Sequence, residues 1–127
     1  MMKKIINTEK APAAIGTYSQ AIVHGNTLYT SGQIPINPAT GEMLPAEFQA
    51  QAHQVFKNLA AIAEAAGTSL QNAIKLNVFL QDLENFVALN QIMGEYIQEP
   101  YPARAAVQVA RLPKDSLIEI DAIIAVS

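Results

Sequence analysis

Apolar residues recur at helical spacing over residues 45–66. Their steps of four and three positions place them on one face of a helix. Gly67 follows the last of them and suits the left-handed position that ends many helices. The pattern predicts a first amphipathic helix whose buried face carries Phe48, Ala52, Val55, Leu59, Ile62 and Ala66.

A second helix is predicted after Asp82, because a short carboxylate side chain favours the N-cap position. It should end before Glu99-Pro100, because proline cannot continue a helix and the residue before it avoids the helical region. One polar residue, Asn90, interrupts its apolar face. That face consists of Leu83, Phe86, Asn90, Met93 and Ile97.

Five segments have the character of strands. Residues 18–24 and 27–31 flank Gly25 and Asn26, a pair typical of a two-residue hairpin turn. Residues 74–81 show period-two alternation, in which Ile74, Leu76, Val78 and Leu80 form the buried line. Two further strands, 103–110 and 117–126, end the chain.

Residues 32–41 contain two prolines and two glycines and are predicted to form a loop. The resulting order, β-β-loop-α-β-α-β-β, predicts an α+β fold with both helices packed on one face of a sheet. A length of 127 residues fits one domain, and we find no repeat or interdomain linker, so residues 1–127 are taken as a single domain.

Composition narrows the function classes. A net charge of −3 and a pI near 5.2 give no general attraction to nucleic acid or to an anionic membrane. The absence of cysteine excludes disulfides, thiol nucleophiles and cysteine-ligated metals. No apolar run reaches the length of a membrane helix, and no signal peptide is recognisable, so a cytoplasmic location is expected. Only 15% of the residues are charged, which predicts an apolar surface left for a partner subunit.

The last two strands carry charges where charges are costly. Arg104 lies in the first of them, and Glu119 and Asp121 lie in the second. A charge in an apolar strand needs a partner or a ligand. In a simple hairpin, Arg104 and Glu119 would be offset by about five residues, or roughly 16 Å along the strands. A shared site therefore requires that the strands do not form a hairpin or that the site spans two subunits.

Several blocks of the chain, taken together, resemble the RidA/YjgF family of reactive-intermediate deaminases. The similarity extends from about residue 5 to the C-terminus, and the blocks occur in the family's order. They include Tyr101-Pro-Ala-Arg104 and Ile118-Glu-Ile-Asp-Ala122. The full set comprises residues 11–20, 30–35, 37–41, 101–104, 109–115 and 118–122.

The resemblance implies a chorismate-mutase-like fold, with a mixed sheet of about six strands, assembled as a homotrimer with clefts between subunits. It also implies that the last two strands are not neighbours in the sheet. Family members hydrolyse 2-imino and 2-enamino acids, such as 2-aminoacrylate, 2-iminopropanoate and 2-iminobutanoate, to 2-keto acids and ammonia. They need no cofactor and no metal.

The resemblance also implies roles for individual residues. Arg104 corresponds to the family's carboxylate-binding arginine and Glu119 to the acid that activates water. A planar guanidinium can hold a carboxylate with two parallel hydrogen bonds, and a desolvated carboxyl group can relay protons. Ala106 stands where many relatives have cysteine, so no thiol-dependent role is expected. The remaining cleft positions are Tyr18, Ser31, Gly32 and Asn90.

Each residue also has a plainer interpretation. Arg104 could form an interface ion pair, and Tyr18 could be an aromatic residue of an edge strand. Ser31 and Gly32 could serve a turn, and Asn90 could be a structural residue satisfied by nearby backbone. Glu119 and Asp121 share a strand face, so one or both could simply be solvated. Two histidines, His24 and His53, are predicted to be ordinary surface residues.

Two other functions remain open. The same cleft could bind 2-keto acids without turnover, as in a regulatory protein. An endoribonuclease, an activity attributed to some relatives, is disfavoured by the acidic charge and the lack of a histidine pair.

Overall fold

Two α-helices and eight β-strands make up the computed structural model, which describes residues 2–127. The helices are α1 (Phe48–Ala65) and α2 (Phe86–Tyr96). The strands are β1 (Lys4–Ile6), β2 (Ala21–His24), β3 (Thr27–Thr30), β4 (Ile36–Asn37), β5 (Glu42–Met43), β6 (Ala73–Leu80), β7 (Ala103–Gln108) and β8 (Ile118–Ala125). The predicted α+β class and both helices are confirmed. Strands β1, β4 and β5 were not predicted, and each is only two or three residues long.

The ends of α1 follow from local chemistry. The predicted start at residue 45 is too early, because Glu47 caps the helix and its carboxylate accepts hydrogen bonds from the backbone N–H groups of Gln49 and Ala50. At the other end Gly67 has a φ of +80°, while the Thr68 N–H bonds back to the Ala63 carbonyl. The predicted role of Gly67 is therefore confirmed.

Asp82 also caps as predicted, by accepting a hydrogen bond from the Glu84 N–H at 2.9 Å. The first turn after it, Leu83–Asn85, is a 3-10 helix, and α2 proper begins at Phe86. The helix ends at Tyr96, before the Glu99-Pro100 stop.

The main sheet has the strand order β1-β2-β3-β8-β6-β7. Strand β6 lies between the last two strands, and it pairs parallel with β7 and antiparallel with β8. The last two strands are thus not neighbours, as the resemblance implied, and the simple hairpin is wrong. The predicted hairpin of β2 and β3 is confirmed, with His24 opposite Thr27.

Both helices pack on one side of this sheet. The strand residues on that side are almost fully buried with the helices in one core, and they include Leu28, Leu76, Val78, Leu80, Ile118, Ile120, Ala122 and Ile124. The other side, which we call the open face, is covered by no helix of residues 2–127. It leaves apolar side chains exposed, including Ile5 at 62%, Tyr29 at 46% and Val107 at 47%.

The predicted buried line of β6 is wrong at its first residue. Ile74 is 49% exposed, because the pairing of β6 with β8 shifts between Ala73 and Lys75 and leaves Ile74 unpaired. From Leu76 onward the alternation holds.

The predicted strand 18–24 begins later, at Ala21, so Tyr18 lies in a loop and not in an edge strand. The buried amide of Gln20 anchors this loop. Its Nε2 donates to the carbonyls of Thr8 and Pro12 at 3.0 and 2.8 Å, and its Oε1 accepts from the Thr8 N–H at 2.7 Å. These bonds fix the chain immediately after Tyr18.

His53 is not an ordinary surface residue, contrary to prediction. Its Nδ1 lies 2.8 Å from the Tyr96 hydroxyl, its Nε2 lies 3.9 Å from the Glu95 carboxylate, and its side chain is one-third exposed. Tyr96 in turn stacks on Phe56. This contact ties the end of α2 to α1. His24, by contrast, is exposed at the end of β2.

Neither helix of residues 2–127 has the length and apolar character needed to cross a membrane.

Candidate functional site

Arg104 lies on edge strand β7, and its half-buried guanidinium contacts α2. Its Nη1 donates to Asn90 Oδ1 at 2.6 Å and lies 3.7 Å from the sulfur of Met93. Its Cζ lies 5.0 Å from the centre of the Phe86 ring. Within residues 2–127, no carboxylate lies within 4.0 Å of this guanidinium. The arginine is thus oriented by neutral groups, and its charge has no counter-ion in the described part of its own chain.

A pocket of about 460 Å³ opens beside the guanidinium. Its lining combines the charged group with apolar surface: Asn90, Met93, Gly94, Tyr101, Pro102 and Arg104. Ala106 lies two residues along β7 on the same side and packs against the core. The Asn90 side chain bonds to the Arg104 side chain and not to nearby backbone, so the suggested backbone partner is wrong.

Glu119 lies on β8 and points to the open face. It is half-buried, and the desolvation of its carboxyl group, together with the nearby charge of Asp121, raises its pKa. Asp121 is not simply solvated, because it accepts a hydrogen bond from Asn77 Nδ2 at 2.7 Å. The raised pKa makes Glu119 a candidate for proton transfer.

The Glu119 carboxylate rests directly against Gly32. A Cβ built on Gly32 would lie only 2.9 Å from the Glu119 carboxyl carbon, closer than van der Waals contact allows. Gly32 is held in place because its neighbour Gln33 pairs with Ile120 of β8. The absent side chain at position 32 therefore makes room for the acid.

A pocket of about 560 Å³ brings together four of the predicted site residues: Tyr18, Ser31, Gly32 and Glu119. The Ser31 hydroxyl donates to the Ser19 carbonyl at 2.6 Å, so its proton is already used and the oxygen can act only as an acceptor. The Tyr18 side chain is 53% exposed at the rim.

The predicted residues therefore form two clusters and not one. Arg104 is paired with Leu76 of β6, whose side chain faces the helices, whereas Glu119 is paired with Phe79, whose side chain faces the open side. Paired residues share a face, and neighbours along a strand alternate. Two strand spacings and three residues separate the two Cα atoms, or roughly 14 Å, and the side chains point to opposite faces.

Sequence reasoning missed three residues near these clusters. Two of them, Phe86 and Met93, were predicted to belong to the apolar face of α2. Only their helical spacing relative to Asn90 could have indicated that they lie beside the site. Lys114 lines the Glu119 pocket, and both it and Asp115 have a φ of +55°, the left-handed region that these residue types rarely adopt. Within residues 2–127, no three histidine, aspartate or glutamate side chains gather in a group that could hold a metal ion.

Comparison with known proteins agrees with the motifs. Residues 8–126 match the family model described as endoribonuclease L-PSP. A RutC family protein of Pyrococcus horikoshii is 53% identical over 96% of this chain and 97% of its own. The 2-iminobutanoate/2-iminopropanoate deaminase of Rattus norvegicus is 48% identical over 97% of this chain and 90% of its own.

Solved structures give the same fold. The crystal structure of Escherichia coli TdcF with bound serine matches with a TM-score of 0.91 and 47% identity, over 98% of this chain and 99% of that one. The motifs, the topology and these matches lead to one assignment: the chain belongs to the endoribonuclease L-PSP family, also called RidA/YjgF.

Proposed function

We propose that the protein hydrolyses the C=N bond of small 2-imino acids and releases a 2-keto acid and ammonia. The observation that carries this proposal is the Arg104 guanidinium, which Asn90 holds in place and which no carboxylate neutralises within residues 2–127. A relative 48% identical bears the name 2-iminobutanoate/2-iminopropanoate deaminase. The bound serine of TdcF is likewise a small molecule with a carboxylate.

Binding begins with the carboxylate of the substrate. Two parallel N–H donors of Arg104 hold both oxygens and so fix the plane of the imino acid as well as its position. The imine carbon is directly bonded to that carboxylate, so the grip also positions the reacting bond. Since an imine is already electrophilic, positioning supplies much of the required acceleration.

Glu119 then acts on water. Its carboxylate takes a proton as the water oxygen bonds to the imine carbon, and the imine nitrogen gains a proton to become an amine. Collapse of this carbinolamine breaks the C–N bond, forms the keto C=O bond and expels ammonia. The net change is the addition of one water and the loss of one ammonia. The raised pKa of Glu119 suits a group that must both accept and return a proton. An enamine such as 2-aminoacrylate first gains a proton on carbon and becomes the imine.

The site is proposed to lie between two copies of the chain, in a homotrimer. The side chains of Arg104 and Glu119 project from opposite faces of the sheet in one chain. Each therefore needs the other residue from a second copy to complete the site. The open face, with exposed Ile5, Tyr29 and Val107, supplies apolar surface for such an assembly. Light scattering should give a mass three times the 13.7 kDa of one chain. A monomeric mass would contradict this part of the proposal. A cytoplasmic location belongs to the same proposal.

The enzymatic claim is tested by generating 2-aminoacrylate in situ with a serine dehydratase and following the decay of the imine. Wild type should accelerate the decay, and Arg104→Ala should reduce it to the uncatalysed rate. Arg111→Ala is the matched control, because Arg111 is exposed and paired with Asp115. Equal clearance by wild type and Arg104→Ala would overturn the proposal.

A non-catalytic 2-keto-acid-binding protein is the second candidate, and the amino acid bound to TdcF favours it. Calorimetry with 2-ketobutyrate alongside the decay assay separates the two functions. Binding without turnover would favour the binding protein. The family's description as an endoribonuclease is tested with single-stranded RNA, which we expect neither to bind nor to be cut.

A further inference from the structure

Three residues of α2 surround the guanidinium of Arg104: Phe86, Asn90 and Met93. Their spacing of four and then three positions places them on one face of the helix. The Arg104 Cζ lies over the Phe86 ring, 5.0 Å from its centre, and the other two residues contact Nη1. The direction of Arg104 is therefore set by α2 and not by its own strand.

These contacts use the N–H donors of Arg104 on one nitrogen, Nη1, and leave those on Nε and Nη2 free for a ligand. Both protein contacts at the edge use Nη1, with Asn90 Oδ1 at 2.6 Å and the Met93 sulfur at 3.7 Å. A bidentate carboxylate can approach a guanidinium through the Nη1/Nη2 edge or through the Nε/Nη2 edge. With Nη1 occupied, only the second edge remains intact. Arg111 uses the same edge in this protein, where Nε and Nη2 donate to Asp115 at 2.7 and 3.2 Å.

We infer that Phe86 is a positioning residue, which together with Asn90 and Met93 turns the Nε/Nη2 edge of Arg104 toward the carboxylate of the substrate. This inference rests on the proposed carboxylate-binding role of Arg104. An aromatic face attracts a guanidinium and restricts its tilt, while the amide stops its rotation in the plane. A donor pair held this way loses less conformational freedom when the ligand binds.

The variants are Phe86→Leu, which keeps an apolar side chain and removes the ring, and Phe86→Tyr, which keeps the ring. Val87→Leu is the control, because Val87 lies on the same turn and is 67% exposed. The first measurement needs no ligand. In nitrogen-15 NMR, the Arg104 Nε–Hε signal should carry the ring-current shift of Phe86. It should move in Phe86→Leu but not in Val87→Leu, and the variants should melt as cooperatively as wild type.

The second measurement is the dissociation constant of 2-ketobutyrate and of its uncharged amide. In Phe86→Leu the 2-ketobutyrate constant should rise by about threefold to tenfold, the range of a cation–π contact, while the amide constant stays within about twofold. Phe86→Tyr should keep the wild-type constant. In the decay assay of Phe86→Leu, the rise in KM should be larger than the fall in kcat. Adding 2-ketobutyrate to wild type should shift the Nε–Hε signal strongly.

Three results would overturn the inference: an Nε–Hε signal that does not respond to Phe86→Leu, equal weakening of acid and amide, or ligand contact through Nη1 with Nε–Hε unchanged. Failure of the proposed enzymatic function looks different. A wild type that binds 2-ketobutyrate through Nε–Hε but does not hydrolyse imines would leave the positioning role of Phe86 intact.

Discussion

The side chains of Arg104 and Glu119 project from opposite faces of one sheet, and strand β6 lies between the two strands that carry them. The register makes this explicit, since Arg104 is opposite Leu76 and Glu119 is opposite Phe79, three residues further along β6. Two residues placed this way cannot hold one small molecule within a single chain. The proposed site, which needs both residues, therefore forms only if copies of the chain assemble.

Asn90→Asp tests whether the positive charge of Arg104, which no nearby carboxylate neutralises within residues 2–127, binds the carboxylate of the ligand. Aspartate has nearly the shape of asparagine and can still accept the hydrogen bond at 2.6 Å, but it neutralises the guanidinium. We expect the affinity for 2-ketobutyrate to fall by about tenfold or more, from the loss of roughly 1.5–3 kcal/mol of charge-assisted bonding, with the fold retained. Calorimetry and thermal melting measure both. Unchanged affinity in Asn90→Asp would show that the ligand carboxylate binds elsewhere.

Gly32→Ala tests the contact between Gly32 and Glu119. The added methyl group would occupy the place of the Glu119 carboxylate. Because this carboxylate is the end of a flexible side chain, we expect it to move aside at a cost in unfolding free energy below about 1 kcal/mol, while imine hydrolysis falls by about tenfold or more. Denaturation and the decay assay check the two parts. Full activity in this variant would remove Glu119 from the proposed mechanism.

The raised pKa of Glu119 makes a prediction about stability and pH. The folded state holds the proton of this carboxyl group more tightly than the unfolded chain does, whose pKa lies near 4.5. The stabilising contribution is therefore complete below that pH and is lost as the pH rises through the folded-state value. Glu119→Gln should thus gain stability relative to wild type as the pH increases from about 4.5 toward neutrality. Denaturation curves at fixed protein concentration give this difference, and a difference that shrinks with rising pH would contradict the prediction.

Asp121→Asn tests the second cause of the raised pKa of Glu119, which is the nearby charge of Asp121. Removing the Asp121 charge should bring the pKa of Glu119 closer to its ordinary value without restoring it fully, because burial is the larger cause. Carbon-13 NMR titration of the Glu119 carboxyl group measures this directly. No movement of the Glu119 titration would mean that desolvation acts alone.

The sequence predicted the helices and the β2–β3 hairpin because those signals are local: hydrophobic spacing, an N-cap at Asp82 and a glycine at position 67. It could not predict that β6 separates the last two strands, since pairing between distant segments depends on tertiary packing; only the family resemblance indicated it. Nor could it show that Phe86 lies against Arg104, because a phenylalanine on an apolar helix face is ordinarily part of the core.

The pair Lys114 and Asp115 makes a prediction at the rim of the Glu119 pocket. Both residues have a φ of +55°, and lysine tolerates the left-handed region less well than aspartate does. Lys114→Gly should therefore raise the unfolding free energy by about 0.5–1 kcal/mol, which is more than Asp115→Gly gains. Chemical denaturation of the two variants side by side measures the difference. A loss of stability in Lys114→Gly would show that the lysine side chain stabilises this turn by contacts that outweigh the backbone strain.

Complementation between two inactive variants tests the shared site most directly. Arg104→Ala and Glu119→Gln chains are each expected to be inactive alone. If each site takes its arginine from one chain and its glutamate from another, unfolding and refolding an equal mixture should restore about one quarter of wild-type imine hydrolysis, because about a quarter of randomly assembled interfaces carry both intact residues. A mixture as inactive as its components, with mixed oligomers present, would contradict a site built from two copies of this chain.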